Sequence, residues 1–468
     1  MALRQLSGQD ASFIYSEAPR MPQHIGGFSI YDPSTAPGGA VTFKGILDHI
    51  RSRMMTLPST YERMVRVPFD YDHPYWITDP DFDLEFHVRH IRLPQPGDWR
   101  QFCIQVARLQ ARELDLERPL WEMYVIEGLD NVDGVPPGCF ALVSKTHHAA
   151  IDGVSGAEIT SVIHDITPDA EAQPAGSPPP ADAVPTPYEL LARAGFNNAM
   201  RPQRFMEFLQ RSIPLLQGRP TPEPQQGQTP APRTRFSGNV TAHRVVEGRS
   251  FDLSEIRRMK SAVSGATVND AVLAIVAGGL RRYLEAKGEL PSEPLVVMAP
   301  ISIRSADEKG ALGNRVSAMT LPIPTNVADP LERLRAVYHA TTAAKETANA
   351  IPASVLTDMN EFIPYALAGL AFRNAAAAGQ ASAATPSINT VVTNVPGPQT
   401  PLYFAGARML KTFGMGPVMD GMGLIHPVFS YDGQIAVSVT SCREMLPDPE
   451  FYSECLQASF DELAEATR

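Results

Sequence analysis

The sequence predicts a mixed α/β protein built from two related domains that a proline-rich linker joins. The chain has 468 residues, which is long enough for two or more domains. Helical and strand-like patterns alternate on both sides of one segment of unusual composition. We therefore expect an N-terminal domain at residues 1–168, a linker at residues 169–240 and a C-terminal domain at residues 241–468.

The N-terminal half alternates between helical and strand-like segments. Apolar residues at helical spacing predict helices at Phe43–Met55, Trp99–Leu114 and Val154–Ile166. Short runs rich in β-branched and aromatic residues predict strands at Tyr61–Phe69, Leu84–Leu93, Leu120–Gly128 and Cys139–Thr146. This half is therefore expected to form one α/β domain.

Proline marks the predicted linker. Many of the 43 prolines lie between Pro168 and Pro232, where they favour extended backbone. Within this stretch, Tyr188–Gly218 has the apolar spacing of an amphipathic helix, which we expect to be interrupted at Pro202. Two roles are open for this helix: packing across two domains, or contact with a lipid surface.

The C-terminal half repeats the mixture of elements. Helices are predicted at Val268–Lys287, Leu331–Thr347, Val355–Ala377 and Glu450–Ala466. Strands are predicted at Pro294–Pro300, Arg315–Pro322, Asn389–Asn394 and Gly433–Ser441. Two α/β halves of similar size predict a ligand site in the cleft between them.

Composition excludes several classes of protein. With 44% hydrophobic and 19% charged residues, the chain can form a core and is not globally disordered. The formal charge of −11 argues against a general nucleic-acid binder. Four cysteines without a CxxC pair argue against a disulfide framework or a structural zinc, and we expect no metal. The opening residues do not resemble a signal peptide and the apolar runs are short, so a cytoplasmic protein with at most peripheral membrane attachment is expected.

One segment, KTHHAAIDG at Lys145–Gly153, stands out as a candidate site. His147 and His148 end an apolar strand and precede a helix, a junction where loops often carry catalytic groups. A histidine can take a proton from a hydroxyl and return it. Adjacent side chains on extended backbone point to opposite sides, so one ring is expected to face a substrate. Asp152 could orient an imidazole or pair with an arginine, and Gly153 allows close backbone approach.

The spacing of this segment is also compatible with roles apart from catalysis. HxxxD is short and arises by chance, and both rings could be ordinary core histidines. A metal site would need a further ligand, which the neighbouring sequence does not offer. The sequence lacks GxSxG, GxxxxGK[ST] and HExxH, so a histidine base that acts directly on a bound hydroxyl is the simplest hypothesis.

Together with further motifs, the segment resembles the bacterial wax ester synthase/diacylglycerol acyltransferase family. HHAAIDG resembles that family's HHxxxDG motif, which peptide-synthetase condensation domains share. Further segments resemble the family's motifs in the same order along the chain: Leu6–Gly27, Glu117–Leu129 with PLW, Thr267–Ala274 with ND, Pro300–Arg304 followed by Gly313 and Asn314, Thr393–Pro398 with NVPGP, and Ser430–Gly433.

The resemblance implies two chloramphenicol-acetyltransferase-like (CoA-dependent acyltransferase) domains with a tunnel between them. It implies transfer of a fatty acyl group from acyl-CoA, as co-substrate and without another cofactor, to diacylglycerol or a fatty alcohol. These substrates imply attachment to the inner membrane or to lipid droplets. A condensation-type acyltransferase, or an inactive lipid-binding relative, remains an alternative.

The resemblance also implies residue roles. His148 would be the general base, without an acyl-enzyme, while His147 shapes the site. Asp152 would pair with Arg304 as scaffolding beside Gly153.

The start of a predicted helix supplies one further catalytic candidate. Asn269 lies at this start, where its amide and the free N–H groups suit an oxyanion, although a capping residue is the alternative. Pro119, Leu120 and Trp121 are expected in the core and the tunnel wall. Asn394–Pro398 is expected to form a rigid turn after a strand.

Overall fold

A computed structural model describes residues 3–150, 156–169, 180–216, 231–302, 316–348 and 386–468. The helices of these residues are α1 Gly8–Ser16, α2 Phe43–Met54, α3 Pro58–Tyr61, α4 Leu84–His87, α5 Trp99–Gln110, α6 Gly156–Ile163, α7 Pro187–Leu216, α8 Leu253–Lys260, α9 Val268–Ala286, α10 Pro330–Ala348 and α11 Pro449–Ala466. The predicted helix at Val355–Ala377 lies outside the described residues.

The strands are β1 Arg4–Gln5, β2 His24–Asp32, β3 Glu62–Val65, β4 Tyr75–Thr78, β5 Val88–Arg92, β6 Trp121–Glu127, β7 Phe140–His147, β8 Arg244–Asp252, β9 Leu295–Ser302, β10 Val316–Ile323, β11 Thr390–Pro396, β12 Tyr403–Phe404, β13 Ala407–Met415, β14 Leu424–Tyr431 and β15 Gln434–Cys442. They form sheets in the orders β1-β4-β3, β12-β13-β2-β7-β6-β5 and β10-β9-β11-β14-β15-β8.

Strand β7 lies inside the sheet of the N-terminal half, between β2 and β6. On one face of this sheet, Phe102 and Val106 of α5 pack against Val143. On the other face, Ile50 of α2 and Ile163 of α6 form a separate core. The strand is thus covered on both faces, which explains the continuous apolar run at its start, Phe140–Val143.

The second large sheet belongs to the C-terminal half and packs against α8, α9 and α11 around one core. Helix α9 is buried along most of its length, from Ala271 to Leu280. Its first turn is fixed by a capping box, in which Thr267 and Asp270 satisfy each other's backbone N–H groups. The capping box sets the point at which this buried helix begins.

The two halves share a sheet. Strands β12 and β13 come from the C-terminal part of the sequence, yet β13 pairs antiparallel with β2, with Gly414 opposite Gly27. A Cβ on Gly27 would come within 2.8 Å of the Phe413 carbonyl oxygen, so the close approach of these strands requires glycine there. The N-terminal sheet is therefore completed by residues far along the chain.

Two predicted strands of the N-terminal half are shorter than expected. Leu84–Leu93 begins as helix α4, because Asp83 accepts the N–H of Glu85 at 3.0 Å and caps a helical turn. Tyr61–Phe69 contains strand only at Glu62–Val65. Phe69 has a φ of 60°, which ends extended backbone.

Two predictions about proline were wrong. Helix α7 continues through Pro202, because losing one helical hydrogen bond does not end a helix held elsewhere along its length. Val395 and Pro396, predicted in a turn, continue β11 beyond the predicted strand end at Asn394, since they pair in parallel with β14.

Candidate active site

Strand β7 brings the two histidines to the end of the sheet on a fixed backbone. His147 lies opposite His24 on β2, and its N–H donates to the Leu120 carbonyl oxygen at 2.9 Å. The N–H of His148 donates to the Gln23 carbonyl oxygen at 2.9 Å. Both backbone positions are therefore set by hydrogen bonds from neighbouring segments.

A buried lysine fixes the same strand to α5. Lys145 is fully buried, and its Nζ donates to the carbonyl oxygens of Leu109 at 3.2 Å and Arg112 at 2.9 Å. Glu122 lies 3.2 Å from the same ammonium and supplies the opposite charge. These contacts lie at the C-terminal end of a helix, where a cation is favourable.

His147 is completely buried. Its Nδ1 accepts the N–H of Ala149 at 3.1 Å, so this ring nitrogen carries no proton. Nε2 lies 3.4 Å from Oε2 of Glu17, without hydrogen-bond geometry. The ring is thus held by its surroundings, and its predicted role in shaping the site stays a prediction.

His148 is half-buried in the 3-10 turn after β7 and stacks on an aromatic ring. The rings of His148 and Phe13 on α1 lie 4.1 Å apart, with an interplanar angle of 10°. Burial lowers the pKa of His148 from 6.5 to about 4, and the neighbouring His147 contributes to this lowering. The imidazole is therefore neutral at pH 7 and able to accept a proton.

Asn269 is half-buried at the second position of α9, beside the helix N-terminus. Asp270 is buried, accepts hydrogen bonds from the Thr267 N–H and hydroxyl at 2.7 and 2.8 Å, and accepts from Thr341 at 2.7 Å. This neighbour therefore holds the helix start, as a capping residue does. The side chain of Asn269 remains available for another role.

Asn394, at the end of β11, contacts Asn269 directly. Its Nδ2 donates to Oδ1 of Asn269 at 3.1 Å. From its sequence, Asn394 is expected where a strand ends and a turn begins, without a catalytic role. The two motifs are 125 residues apart, so spacing gives no sign of the contact, although the presence of both motifs could have suggested it.

A cavity of about 140 Å³ lies under α6, along one face of the N-terminal sheet. Side chains alternate along β7, and Ser144 and Thr146, four and two residues before His148, line this cavity. Ile159 and Ile163 of α6 form part of its apolar wall. The cavity suits an alkyl group with few polar contacts.

The remaining predicted site residues divide into three groups. Trp121 lines the cavity, and its indole donates to the Thr60 carbonyl oxygen at 2.8 Å. Leu120 is buried and Pro119 bridges to Arg63, and neither lines that cavity. Three predicted residues lie outside the described part of the chain, namely Asp152, Gly153 and Arg304.

Two family sequence models match the chain. The wax ester synthase/diacylglycerol acyltransferase catalytic domain matches residues 6–272, and the WS/DGAT C-terminal domain matches residues 312–464. A putative diacylglycerol O-acyltransferase of Mycobacterium tuberculosis is 32% identical over 98% of this chain and 92% of its own. A probable diacylglycerol O-acyltransferase of the same species is 30% identical over 98% of both chains.

Solved structures resemble the fold over its whole length. The wax ester synthase/diacylglycerol acyltransferase from Marinobacter aquaeolei VT8 has a TM-score of 0.68 and 26% identity, and covers 99% of both chains. The first condensation domain of the calcium-dependent antibiotic synthetase has a TM-score of 0.56 at 13% identity and covers 100% of this chain and 96% of its own, which shows a shared fold alone. The matches to both sequence models and to full-length relatives place this chain in the wax ester synthase/diacylglycerol acyltransferase family.

Proposed function

We propose that this chain is an acyl-CoA-dependent O-acyltransferase. It transfers a fatty acyl group to diacylglycerol, which gives triacylglycerol, and to long-chain alcohols, which gives wax esters. The observation that carries the proposal is a neutral, half-buried His148 at the end of a cavity-lining strand, in a chain that belongs to this family. The names of the relatives support the choice of acceptor.

In the proposed mechanism, His148 acts first as a base and then as an acid. Its neutral ring takes the proton of the acceptor hydroxyl while that oxygen attacks the thioester carbonyl carbon. The carbonyl oxygen becomes an oxyanion, which the Asn269 amide and the N-terminal N–H groups of α9 stabilise. The carbon–sulfur bond then breaks, and the imidazolium returns the proton to the CoA thiolate. No covalent bond to the protein forms.

Substitution of His148 tests this mechanism. In His148→Ala, release of free CoA from acyl-CoA with diacylglycerol or hexadecanol should fall by at least about a hundredfold, since general-base catalysis contributes this much. His339→Ala, at an exposed histidine, should keep wild-type turnover. Unchanged turnover in His148→Ala would contradict the mechanism. A wild-type protein that transfers nothing to a panel of acceptors would favour a lipid-binding relative.

Because the proposed acceptors are lipids, the attachment of the protein to a lipid surface is part of the proposal. None of the helices formed by the described residues combines the length and apolar character needed to cross a bilayer. Exposed aromatic rings nevertheless project from α7 and the turn beside it: Tyr188 is 86%, Phe196 64% and Phe69 92% exposed. Asn198 of α7 donates to the Tyr71 carbonyl oxygen at 3.1 Å, and this hydrogen bond links α7 to the turn that carries Phe69. This surface is proposed to bind a membrane or droplet surface peripherally.

Vesicle binding tests the proposed lipid surface. A protein carrying Phe69→Asp and Phe196→Asp should lose most of its sedimentation with vesicles of mixed neutral and anionic phospholipid. The matched control is Ile166→Asp, because Ile166 is 78% exposed and follows Asp165, which bridges to Tyr403 of β12. Equal binding by both variants would contradict the assignment of this surface.

The domain limits remain part of the proposal. Residues 1–168 and 241–468 are proposed as the two acyltransferase domains, with the linker at residues 169–240. The first sequence model continues through that linker to residue 272. The proposed active centre combines His148 from one proposed domain with Asn269 from the other.

A further inference from the structure

A second cleft, of about 760 Å³, lies between the two halves of the chain. One wall is the outer face of α5, with Ile104, Ala107 and Ala111 in one helical row. The opposite wall comes from the start of β8 and from residues 443–454. Its volume is in the range of small-molecule sites, which often lie at such interfaces.

The acidic side chains of this cleft are mostly engaged. Four carboxylates line it, and three have close partners: Glu247 with the Trp99 indole, Asp448 with Lys287, and Glu450 with Arg100. Within the described ranges, the exposed Glu454 has no ion pair. The cleft therefore keeps one free negative charge.

The basic side chains of the cleft are less engaged. Arg108 and Arg443 are exposed, and neither has an ion pair with any described residue. Arg244 is buried, and its guanidinium donates to the carbonyl oxygens of Thr241 and Arg20 rather than to a carboxylate. Three cations thus face one free anion, in a chain whose formal charge is −11. Such a local reversal of charge favours an anionic ligand.

The inner end of the cleft lies behind the histidine turn. Ala111 is adjacent to Gln110, whose carbonyl oxygen lies 2.8 Å from Nε2 of His24, and His24 pairs with His147 across the sheet. On the opposite wall, Arg244 contacts the Arg20 carbonyl oxygen, three residues before the Gln23 carbonyl that holds His148. A ligand anchored in the cleft would therefore lie close to the proposed reaction centre.

We propose that this cleft binds the phosphorylated nucleotide end of acyl-CoA, with Arg108 and Arg443 as its phosphate contacts. The inference rests on the proposed function, which supplies acyl-CoA as the donor. Guanidinium groups make strong charge-assisted hydrogen bonds to phosphate. Ile104 and Phe451 offer apolar surface for the base. The flexible arm that carries the thioester then extends from the Ala111 end.

A comparison of two acyl donors tests the cleft. Acyl-CoA carries the nucleotide, whereas the S-acyl derivative of pantetheine lacks it. In Arg108→Ala and Arg443→Ala, the ratio of kcat/KM for acyl-CoA to kcat/KM for acyl-pantetheine should fall about tenfold, as for one lost charged hydrogen bond. Adenosine 3′,5′-bisphosphate should compete with acyl-CoA in the wild type and bind these variants more weakly. Arg257→Ala, an exposed arginine on α8, is the matched control.

The outcomes of this experiment distinguish a failure of the proposed nucleotide site from a failure of the proposed function. An unchanged ratio in both cleft variants, with an active wild type, would overturn the nucleotide site alone. Equal losses with both donors would also overturn it, because they would indicate a role outside nucleotide binding. A wild type that transfers no acyl group from either donor would instead overturn the proposed function.

Discussion

The proposed base His148 owes its chemical state to its neighbours. Burial and the neighbouring His147 lower its pKa to about 4, so it is uncharged before the substrate arrives. A ring with this low pKa is a modest base but a strong acid once protonated. The neutral ring can therefore accept the hydroxyl proton in the first half of the reaction, and the imidazolium can protonate the leaving thiolate in the second half.

Asn394 is predicted to be a positioning residue for Asn269. Its amide holds Oδ1 of Asn269, which directs the Nδ2 donors of Asn269 elsewhere. In Asn394→Ala, kcat should fall about fivefold, as for one lost hydrogen bond, with little change in KM for acyl-CoA or acceptor. Asn394→Asp should lower kcat further, because a carboxylate cannot donate a hydrogen bond to Oδ1 of Asn269. Steady-state kinetics check this, and a raised KM at constant kcat would contradict it.

At the level of elements, the start of α9 is expected to contribute to both the stability of the fold and the rate of catalysis. Asp270 accepts three hydrogen bonds while buried, whereas the exposed Asp252 caps α8 through two N–H groups. Asp270→Ala should lower the free energy of unfolding by about 2 kcal/mol or more and also lower kcat, since Asn269 is adjacent. Asp252→Ala should lower the free energy of unfolding by about 1 kcal/mol and leave kcat unchanged. Urea unfolding and turnover assays measure both, and equal effects would contradict the assignment.

The elements also show what a sequence can predict. Helices α5 and α9 and strand β7 are predictable because their periodicity is local and burial reinforces it. Helix α4 is not, because a cap at Asp83 decides the conformation of a short apolar run. The contact of Asn394 with Asn269 and the stack of Phe13 on His148 depend on the tertiary fold, which residue spacing does not contain. The family motifs indicate the segments involved but not these contacts.

For the whole molecule, buried histidines predict loss of stability in mild acid. Seven of the eleven histidines have a pKa lowered chiefly by burial: His24, His49, His73, His87, His148, His164 and His426. Each stays neutral in the folded chain but binds a proton near about pH 6.5 when unfolded. Their contribution to the free energy of unfolding is therefore complete above about pH 6.5 and is lost as the pH falls towards the lowered folded-state pKa values, which are about 4 for His73, His148 and His164. Urea midpoints measured at steps from about pH 7.5 to about pH 4.5 should decrease steadily, and a constant midpoint would contradict this.

The sheet shared by the two halves has a consequence for synthesis on the ribosome. Strand β2 emerges early, but β13, which covers one of its edges, is translated only near the end of the chain. Until then the nascent protein presents an open strand edge, the kind of surface on which chains aggregate. Completion of the fold thus waits for the last part of translation, and chaperones that shield strand edges should raise the yield of active protein.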